Sequence, residues 1–188
     1  MKPDPQELRI KKKWVSMHRR VASLRPCDVR VYGDVTIDPR WDTLEGFREW
    51  FLAQPGHEDV WAIDKDLLVR GNRVYGPDTC ALIPGWINNA IATRPRGALP
   101  RGVQYRSRNR VMASISRGSS MIRLGTFEDP MEAHHAWQLA KGDSLDALAD
   151  RYETERPSCF REDVLKAIRD RADAIRLDAL HGRETLNF

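Results

Sequence analysis

The feature that most constrains the fold is a run of three short strand-like stretches in the middle of the chain, separated by turn-forming residues. In the second stretch, aliphatic residues alternate with serines and a methionine, so one face of a strand can pack on a partner while the other stays free. The aliphatic positions are Val111, Ala113 and Ile115, and the alternating ones are Met112, Ser114 and Ser116. The predicted strands are Gly102–Tyr105, Val111–Ser116 and Met121–Leu124, with turns at Ser107–Asn109 and Arg117–Ser120.

Signals for the start of a helix follow directly after the third stretch. Asp129 is a good N-cap, Pro130 suits the first helical position, and Glu132 completes a capping box. Apolar residues then repeat at helical spacing, so this helix can pack on one face of the sheet. They are Ala133, Ala136, Trp137 and Ala140. A group of strands followed by a helix indicates an α+β fold.

The rest of the chain is divided into successive modules, since no internal repeat appears. We expect an N-terminal module at residues 1–93, a linker at 94–100, a sheet-and-helix module at 101–155 and a C-terminal helix within 156–188. That last helix either folds back on the protein or pairs with a second copy to form a homodimer. The other predicted elements are a helix at Pro5–Ala22, a strand at Val29–Ile37 broken at Gly33, a helix at Leu44–Ala53, two strands within Trp61–Pro84 around the turn Arg70–Arg73, a helix at Gly85–Ala92 and the last helix at Ser158–Leu180.

Charge is distributed unevenly along the chain, although the formal net charge is only +4. Between Arg94 and Phe127 there are eight arginines and no acidic residue, whereas between Glu128 and Glu155 there are eight acidic residues and two cations. A cluster of one sign beside a compensating acidic element is typical of a surface that faces phosphates. The alternative, a general use of Arg in place of Lys, does not explain 34 residues without an acid.

A second group of cations lies on the first predicted helix, where the apolar residues Ile10, Trp14, Met17 and Val21 form one face. The remaining surface is crowded by Lys11, Lys12, Lys13, Arg19 and Arg20. This surface is either an ordinary solvated face or a contact with a phosphate backbone.

Several classes of protein are disfavoured by composition. The three cysteines, Cys27, Cys80 and Cys159, have no paired spacing, which argues against a disulfide framework. A zinc site built from Cys27, Cys80, His18 and His57 has no Cys-x-x-Cys pair to anchor it, and the adjacent His134 and His135 are not expected to share a metal. The absence of a long apolar run and of a secretory leader predicts a soluble, cytoplasmic protein that does not enter a membrane.

Three segments of the predicted sheet carry a resemblance to a known family. Arg101-Gly102-Val103, Val111-Met112-Ala113-Ser114-Ile115 and Leu124-Gly125-Thr126-Phe127-Glu128, followed by Glu132-Ala133, resemble the Apetala/ethylene-responsive-factor DNA-binding domain, a module also found in phage proteins. The resemblance covers Arg101 to Asp150. It implies a three-stranded antiparallel sheet backed by one helix, with the open face of the sheet in the major groove of duplex DNA.

The resemblance also implies which residues contact DNA. By position they are Arg101, Gln104, Arg106, Ser114, Ser116, Met121 and Arg123, and Arg108 and Arg110 join them as neighbouring cations. Val111 and Arg123 stand near positions at which the family often has tryptophan. We therefore expect DNA binding but not the family's preferred DNA sequence.

The N-terminal module looks like the phage His-Asn-His-type proteins, which carry a ββα-metal core. The residues that resemble them are Tyr32-Gly33-Asp34-Val35-Thr36-Ile37, Trp41, Phe47, Ile63-Asp64-Lys65-Asp66, Asn72 and Tyr75-Gly76-Pro77-Asp78-Thr79-Cys80. By position, Asp64 and Lys65 occupy the place of the family's Asp-His pair, Asn72 the middle position, and Asn88 or Asn89 the place of a helical metal ligand. A lysine is protonated near neutral pH and cannot act as the base that activates water unless burial lowers its pKa by several units. Asp64 could still hold a metal, and Lys65 could instead bind phosphate.

Three functions stay open from the sequence. The first is a phage or prophage protein that binds duplex DNA without efficient nuclease activity and without a cofactor. The second is a Mg-dependent homing-type endonuclease with candidate catalytic residues Asp64, Lys65, Asn72 and Asn89 and candidate metal ligands Asp64, Asn88 and Asn89. The third is a non-enzymatic interaction protein that uses a DNA-binding scaffold against a host partner.

Overall fold

The structure, a computed structural model, describes residues 4–59, 62–92, 97–118 and 120–186. The chain divides into two compact units, of which the first comprises Met1–Pro84 with Pro157–Phe160 and the second comprises Gly85–Arg156 with Arg161–Phe188. Six α-helices and seven strands in the described part confirm the α+β fold class. None of the helices in these ranges is both long enough and apolar enough to cross a membrane.

The first unit contains three helices and two small two-stranded sheets. Strands β1 and β3 pair in parallel, and strands β2 and β4 pair antiparallel. Its buried core combines aliphatic, sulfur-containing and aromatic side chains, with Trp41 and Phe47 edge to face at a ring separation of 5.2 Å. The elements are α1 (Pro5–Val21), α2 (Pro26–Tyr32), β1 (Thr36–Ile37), a 3₁₀ turn (Pro39–Trp41), α3 (Leu44–Ala53), β2 (Ala62–Asp64), β3 (Val74–Tyr75) and β4 (Ala81–Ile83).

The predicted strand at Val29–Ile37 is wrong for most of its length, because residues 26–32 form helix α2. Pro26 occupies the first turn of this helix, a position that tolerates its missing N–H. The Asp28 carboxylate accepts hydrogen bonds from the Ser23 hydroxyl at 2.6 Å and from Arg25 Nε at 2.8 Å, which fixes the chain at the helix start. Only Thr36 and Ile37 at the end of the predicted stretch form a strand.

The second unit is a three-stranded antiparallel sheet packed on one helix, as predicted. Its strand order is β5-β6-β7. Val111 and Ala113 of the middle strand and Ala133 of helix α5 form the core, with Leu124 and Phe127 packed against it. Asp129 caps α5 by accepting a hydrogen bond from the backbone N–H of Met131 at 2.8 Å. The elements are α4 (Gly85–Ile91), β5 (Val103–Ser107), β6 (Arg110–Arg117), β7 (Ser120–Phe127), α5 (Pro130–Glu155) and α6 (Glu162–Leu180).

The boundary between the units lies at Pro84, earlier than the predicted linker at 94–100. Helix α4 belongs to the second unit because α5 holds it. Lys141 Nζ donates a hydrogen bond to the backbone carbonyl of Ala90 at 2.6 Å, and the guanidinium of Arg151 lies 4.2 Å from the centre of the Trp86 ring. Residues 94–96 of the predicted linker, with Arg94 and Arg96, lie outside the described residues, as do Thr93 and Trp61.

The loop after α5, Pro157–Phe160, belongs to the first unit although both flanking helices belong to the second. Cys159 is buried in the aromatic core of the first unit. It lies so close to Gly56, which has a φ of +67°, that a Cβ at Gly56 would stand 2.5 Å from the Cys159 backbone nitrogen. The Ser158 hydroxyl also donates a hydrogen bond to Asp59 at 3.1 Å. The last helix therefore begins at Glu162 and not at the predicted Ser158.

Candidate nucleic-acid interface

The register of the sheet defines an open face opposite helix α5. Residues that pair directly across antiparallel strands point to the same face. Gln104 pairs with Met112, and Met112 pairs with Thr126. Ser114 pairs with Arg123, and Ser116 with Met121. The candidate residues at positions 104, 114, 116, 121 and 123 are thus brought together on one surface, as the sequence predicted.

Four exposed arginines, which we call the sheet arginines, stand on or around this face: Arg106, Arg108, Arg117 and Arg123. Within the described part of the chain, no salt bridge joins any of them to a carboxylate. Arg110 differs, because its guanidinium lies 3.5 Å from the carboxylate of Glu128. Both of those side chains are exposed, so the pair contributes little and leaves Arg110 able to exchange partners.

Arg123 is held over the sheet by a bulge in strand β7. Ala113 pairs with Gly125, but the next residue, Ser114, pairs with Arg123. Leu124 is therefore an extra residue in β7. The extra residue brings Arg123 and Thr126 onto the same face, and the Arg123 guanidinium donates a hydrogen bond to the Thr126 hydroxyl. Sequence reasoning did not identify Thr126, although Gly125 beside it is a recognisable signal for a bulge.

Arg101 has a hydrogen-bond partner within the protein. Its guanidinium donates hydrogen bonds from Nε and Nη2 to the backbone carbonyl of Leu186, at 3.2 and 3.0 Å. Arg101 therefore anchors the segment that follows α6. The DNA-contacting role implied by the resemblance would compete with these bonds.

The same segment is held by a buried histidine on α5. His134 is fully buried, and its Nδ1 donates to the Arg101 carbonyl at 2.9 Å while its Nε2 accepts from the Thr185 N–H at 3.0 Å. Because a backbone N–H can only donate, the ring is neutral and carries its proton on Nδ1. Burial lowers the pKa of His134, which favours the same neutral form. Both ring nitrogens of His134 are therefore engaged in holding backbone groups of the protein.

Trp137 covers the start of the sheet. Its ring stacks on the imidazole of His134 at a centroid separation of 5.3 Å and an interplanar angle of 16°. Gly102 lies against the ring with a φ of +76°, and a Cβ there would stand 1.9 Å from Trp137 Cδ1. The Arg101-Gly102-Val103 segment that carries part of the resemblance is thus fixed by packing on α5.

The acidic stretch after the sheet is neutralised within the helix pair. Arg176 of α6 lies 2.9 Å from Asp143 and 2.5 Å from Asp146 of α5. Arg169 makes equivalent pairs with α5 carboxylates further along, at 3.1 and 2.9 Å. Four of the eight carboxylates are therefore engaged by α6, whereas Glu128 pairs with Arg110 of the sheet and Glu155 with Arg151.

In the first unit, the residues at the resembled catalytic positions form a hydrogen-bonded loop. Lys65 is buried, and its Nζ donates to Asp66 Oδ2 at 3.0 Å and to the Asn72 carbonyl at 3.1 Å. The Asn72 side-chain amide donates to the carbonyls of Lys65 and Val74 at 2.5 and 2.7 Å. Asp64 Oδ1 accepts from the backbone N–H groups of Asp66 and Leu67 at 3.0 and 2.6 Å. Asp64, Lys65 and Asn72 come together as predicted, with roles that stabilise a turn.

The other two candidate metal ligands belong to a different unit from the one that contains this loop. Asn88 and Asn89 lie on α4, which belongs to the second unit. Across the described ranges, no three His, Cys, Asp or Glu side chains are close enough together to hold a metal ion. Cys80 is buried, and this burial raises the pKa of its thiol to about 12.

Comparison with known proteins returned no match to a family model, to a curated protein or to a solved structure.

Proposed function

We propose that the second unit binds duplex DNA by laying the open face of its sheet in the major groove. The observation that carries the proposal is the set of four sheet arginines, exposed and without a carboxylate partner in the described part, around uncharged side chains. Arginine binds phosphate and guanine in planar, bidentate geometry, which makes it the most effective cation for this purpose.

The dimensions of the sheet suit the groove. Three strands spaced about 4.8 Å apart span about 10 Å between the outer strands. The major groove is about 12 Å wide. Ser114 and Ser116 on the middle strand are small, so they allow the backbone of that strand to approach the base edges closely.

The side chains divide into two roles by their positions. Arg106, Arg108 and Arg117 lie at the ends of strands or in a turn, where they would meet phosphates on either side of the groove. Gln104 and Arg123 lie on the open face itself, where they would meet base edges. In this arrangement Gln104 is suited to adenine and Arg123 to guanine.

A charge-matched pair of triple variants tests the proposal. We expect Arg106→Ala, Arg117→Ala and Arg123→Ala together to weaken binding to a mixed-sequence duplex by at least about 100-fold, since each contact contributes roughly 1–3 kcal/mol. The control changes Arg156, Lys166 and Arg183, which pair with Glu162, Asp170 and Asp178, to Ala. It removes the same net charge and should leave affinity within a few fold. Equal losses of affinity in the two variants would mean that binding depends only on net charge, and they would refute the proposed face.

We further propose that the first unit does not cleave DNA. Lys65 Nζ already has two oxygen partners, and the Asn72 amide donates to two backbone carbonyls. These bonds favour a role in holding the β2–β3 connection over a role in activating water.

A further inference from the structure

We propose that helix α1 carries a second duplex-DNA contact, located in the first unit and separate from the sheet. The surface consists of Lys11, Lys12 and Arg19, which we call the α1 basic face. It would bind phosphates of the DNA backbone without reading bases. The proposal does not depend on the sheet, because the α1 basic face lies on a different compact unit.

The charge of this segment has one sign. From Leu8 to Cys27 there are seven Lys or Arg residues and no Asp or Glu. Lys11, Lys12 and Arg19 are exposed, and none of the three has an ion-pair or hydrogen-bond partner within the described residues. They are spread over about 12 Å of helix. A duplex offers phosphates every 3.4 Å along each strand, so a surface of this length meets several of them.

Helix α1 presents these cations rigidly. Its apolar side is buried through Ile10 and Met17. Trp14 Nε1 donates to the Trp41 carbonyl at 2.8 Å, and His18 Nε2 lies 3.1 Å from the same oxygen. Two side chains one turn apart therefore fix the rotation of the helix about its axis, and this rotation directs positions 11, 12 and 19 outward.

Two arginines next to the α1 basic face have hydrogen-bond partners within the protein and add to the positive electrostatic potential of that face. Arg20 donates to the Tyr75 hydroxyl at 3.5 Å and to Ser16 at 3.3 Å, and Arg9 donates to the Glu58 carbonyl. Each of these acceptors is neutral, so neither arginine loses its charge to a carboxylate in these bonds. Burial is the main cause of the lowered pKa of Lys13, and the neighbouring charges of Arg20 and Arg9 lower it further.

The buried side of α1 favours nucleic acid over a lipid surface. A helix that lies in a membrane interface inserts its apolar side among the acyl chains. In α1 that side is occupied by the core of the first unit. On α1 itself the exposed large apolar residues are Leu8 and Val15, at 40% and 44%, and Leu24 beyond its end is 91% exposed. What remains for a partner is a row of fixed charges, which suits the regular phosphates of a duplex.

The test is the salt dependence of binding to a mixed-sequence duplex of about 30 base pairs, a length of about three helical turns. We expect Lys11→Ala, Lys12→Ala and Arg19→Ala together to lower the slope of log K against log salt by about 2.7. Between 50 and 200 mM salt this corresponds to about a 40-fold smaller loss of affinity than in the wild type. The charge-conserving variant Lys11→Arg, Lys12→Arg, Arg19→Lys should retain the wild-type slope, and the control at positions 156, 166 and 183 should as well.

The outcomes separate this proposal from the one for the sheet. A lower slope in the α1 variant supports the α1 basic face, whatever the sheet variant does. A slope equal to that of the control overturns it, even if the sheet variant loses binding. A second experiment measures binding to vesicles that contain phosphatidylserine. If the α1 variant loses this binding while its DNA slope is unchanged, the face binds membranes and the proposal is overturned. A wild-type protein that binds no duplex at 50 mM salt would overturn both.

Discussion

Gly102 combines a left-handed backbone with a close approach to a buried ring, and we expect Gly102→Ala to be among the most damaging single-methyl changes in the second unit. An L-residue at a φ of +76° costs about 1–2 kcal/mol. The new Cβ would stand 1.9 and 2.1 Å from Trp137 Cδ1 and Cγ, and the ring cannot tilt freely because it stacks on His134. Overpacking of this kind costs about 1–3 kcal/mol, for a total of about 2–5 kcal/mol.

Gly118→Ala is the matched control. Gly118 has a φ of +60° in the turn of the same sheet, and no atom of the residues that the structure describes lies within 4 Å of a Cβ placed there. It should lose only the backbone contribution of about 1–2 kcal/mol. The assay is urea unfolding followed by circular dichroism, which compares the free energies of unfolding of the two variants. Equal losses would mean that Trp137 does not press on Gly102 and would refute the packing argument.

Three further predictions concern other side chains. Phe127→Ala should lower the free energy of unfolding by about 2–3 kcal/mol. This is less than for a fully buried ring, because Phe127 is only partly buried. An unchanged urea unfolding curve would contradict the packing of Phe127 against the core. Burial and the charge of Arg171 lower the pKa of Lys141 from 10.5 to about 8. Between these two pH values the unfolded chain therefore binds more protons than the folded protein does. The stability of the wild type relative to Lys141→Met should therefore rise with pH across that window, and a flat difference would argue against the shift. With Mg²⁺ or Mn²⁺, neither the wild type nor Lys65→His should nick supercoiled plasmid, and robust wild-type nicking would place the water-activating group elsewhere.

Elements with strong periodicity and clear end signals were predictable from the sequence. Helix α3 begins and ends at the predicted Leu44 and Ala53, since Thr43 caps it and Phe47 and Phe51 lie one turn apart on its buried side. Helix α5 begins at Pro130 after the predicted cap. Helix α2 was missed because Val29 and Val31 suggest a strand, whereas local hydrogen bonds around Asp28 and the proline at the helix start outweigh that propensity.

The candidate site was predictable only in part. Alternation, a local property, placed Met112, Ser114 and Ser116 on one face of the middle strand. Gln104 and Arg123 were named only through the family resemblance, and the register places them on the same face. The partner of Arg101 is a backbone carbonyl 85 residues away, and no local pattern encodes such a contact. The burial of Thr185 was not predictable for the same reason, because its partners His134 and Gln138 lie far away in the sequence, on helix α5.

The loop Pro157–Phe160 has a consequence for how such a protein can change during evolution. The chain enters the first unit, leaves it at Pro84, returns through this loop and leaves again. Recombination at the residues that look like a linker would separate Gly56 from Cys159, the neighbour that fills the space beside it. A chain divided there would carry Pro157–Phe160, a segment of the first unit, on the fragment that contains the sheet.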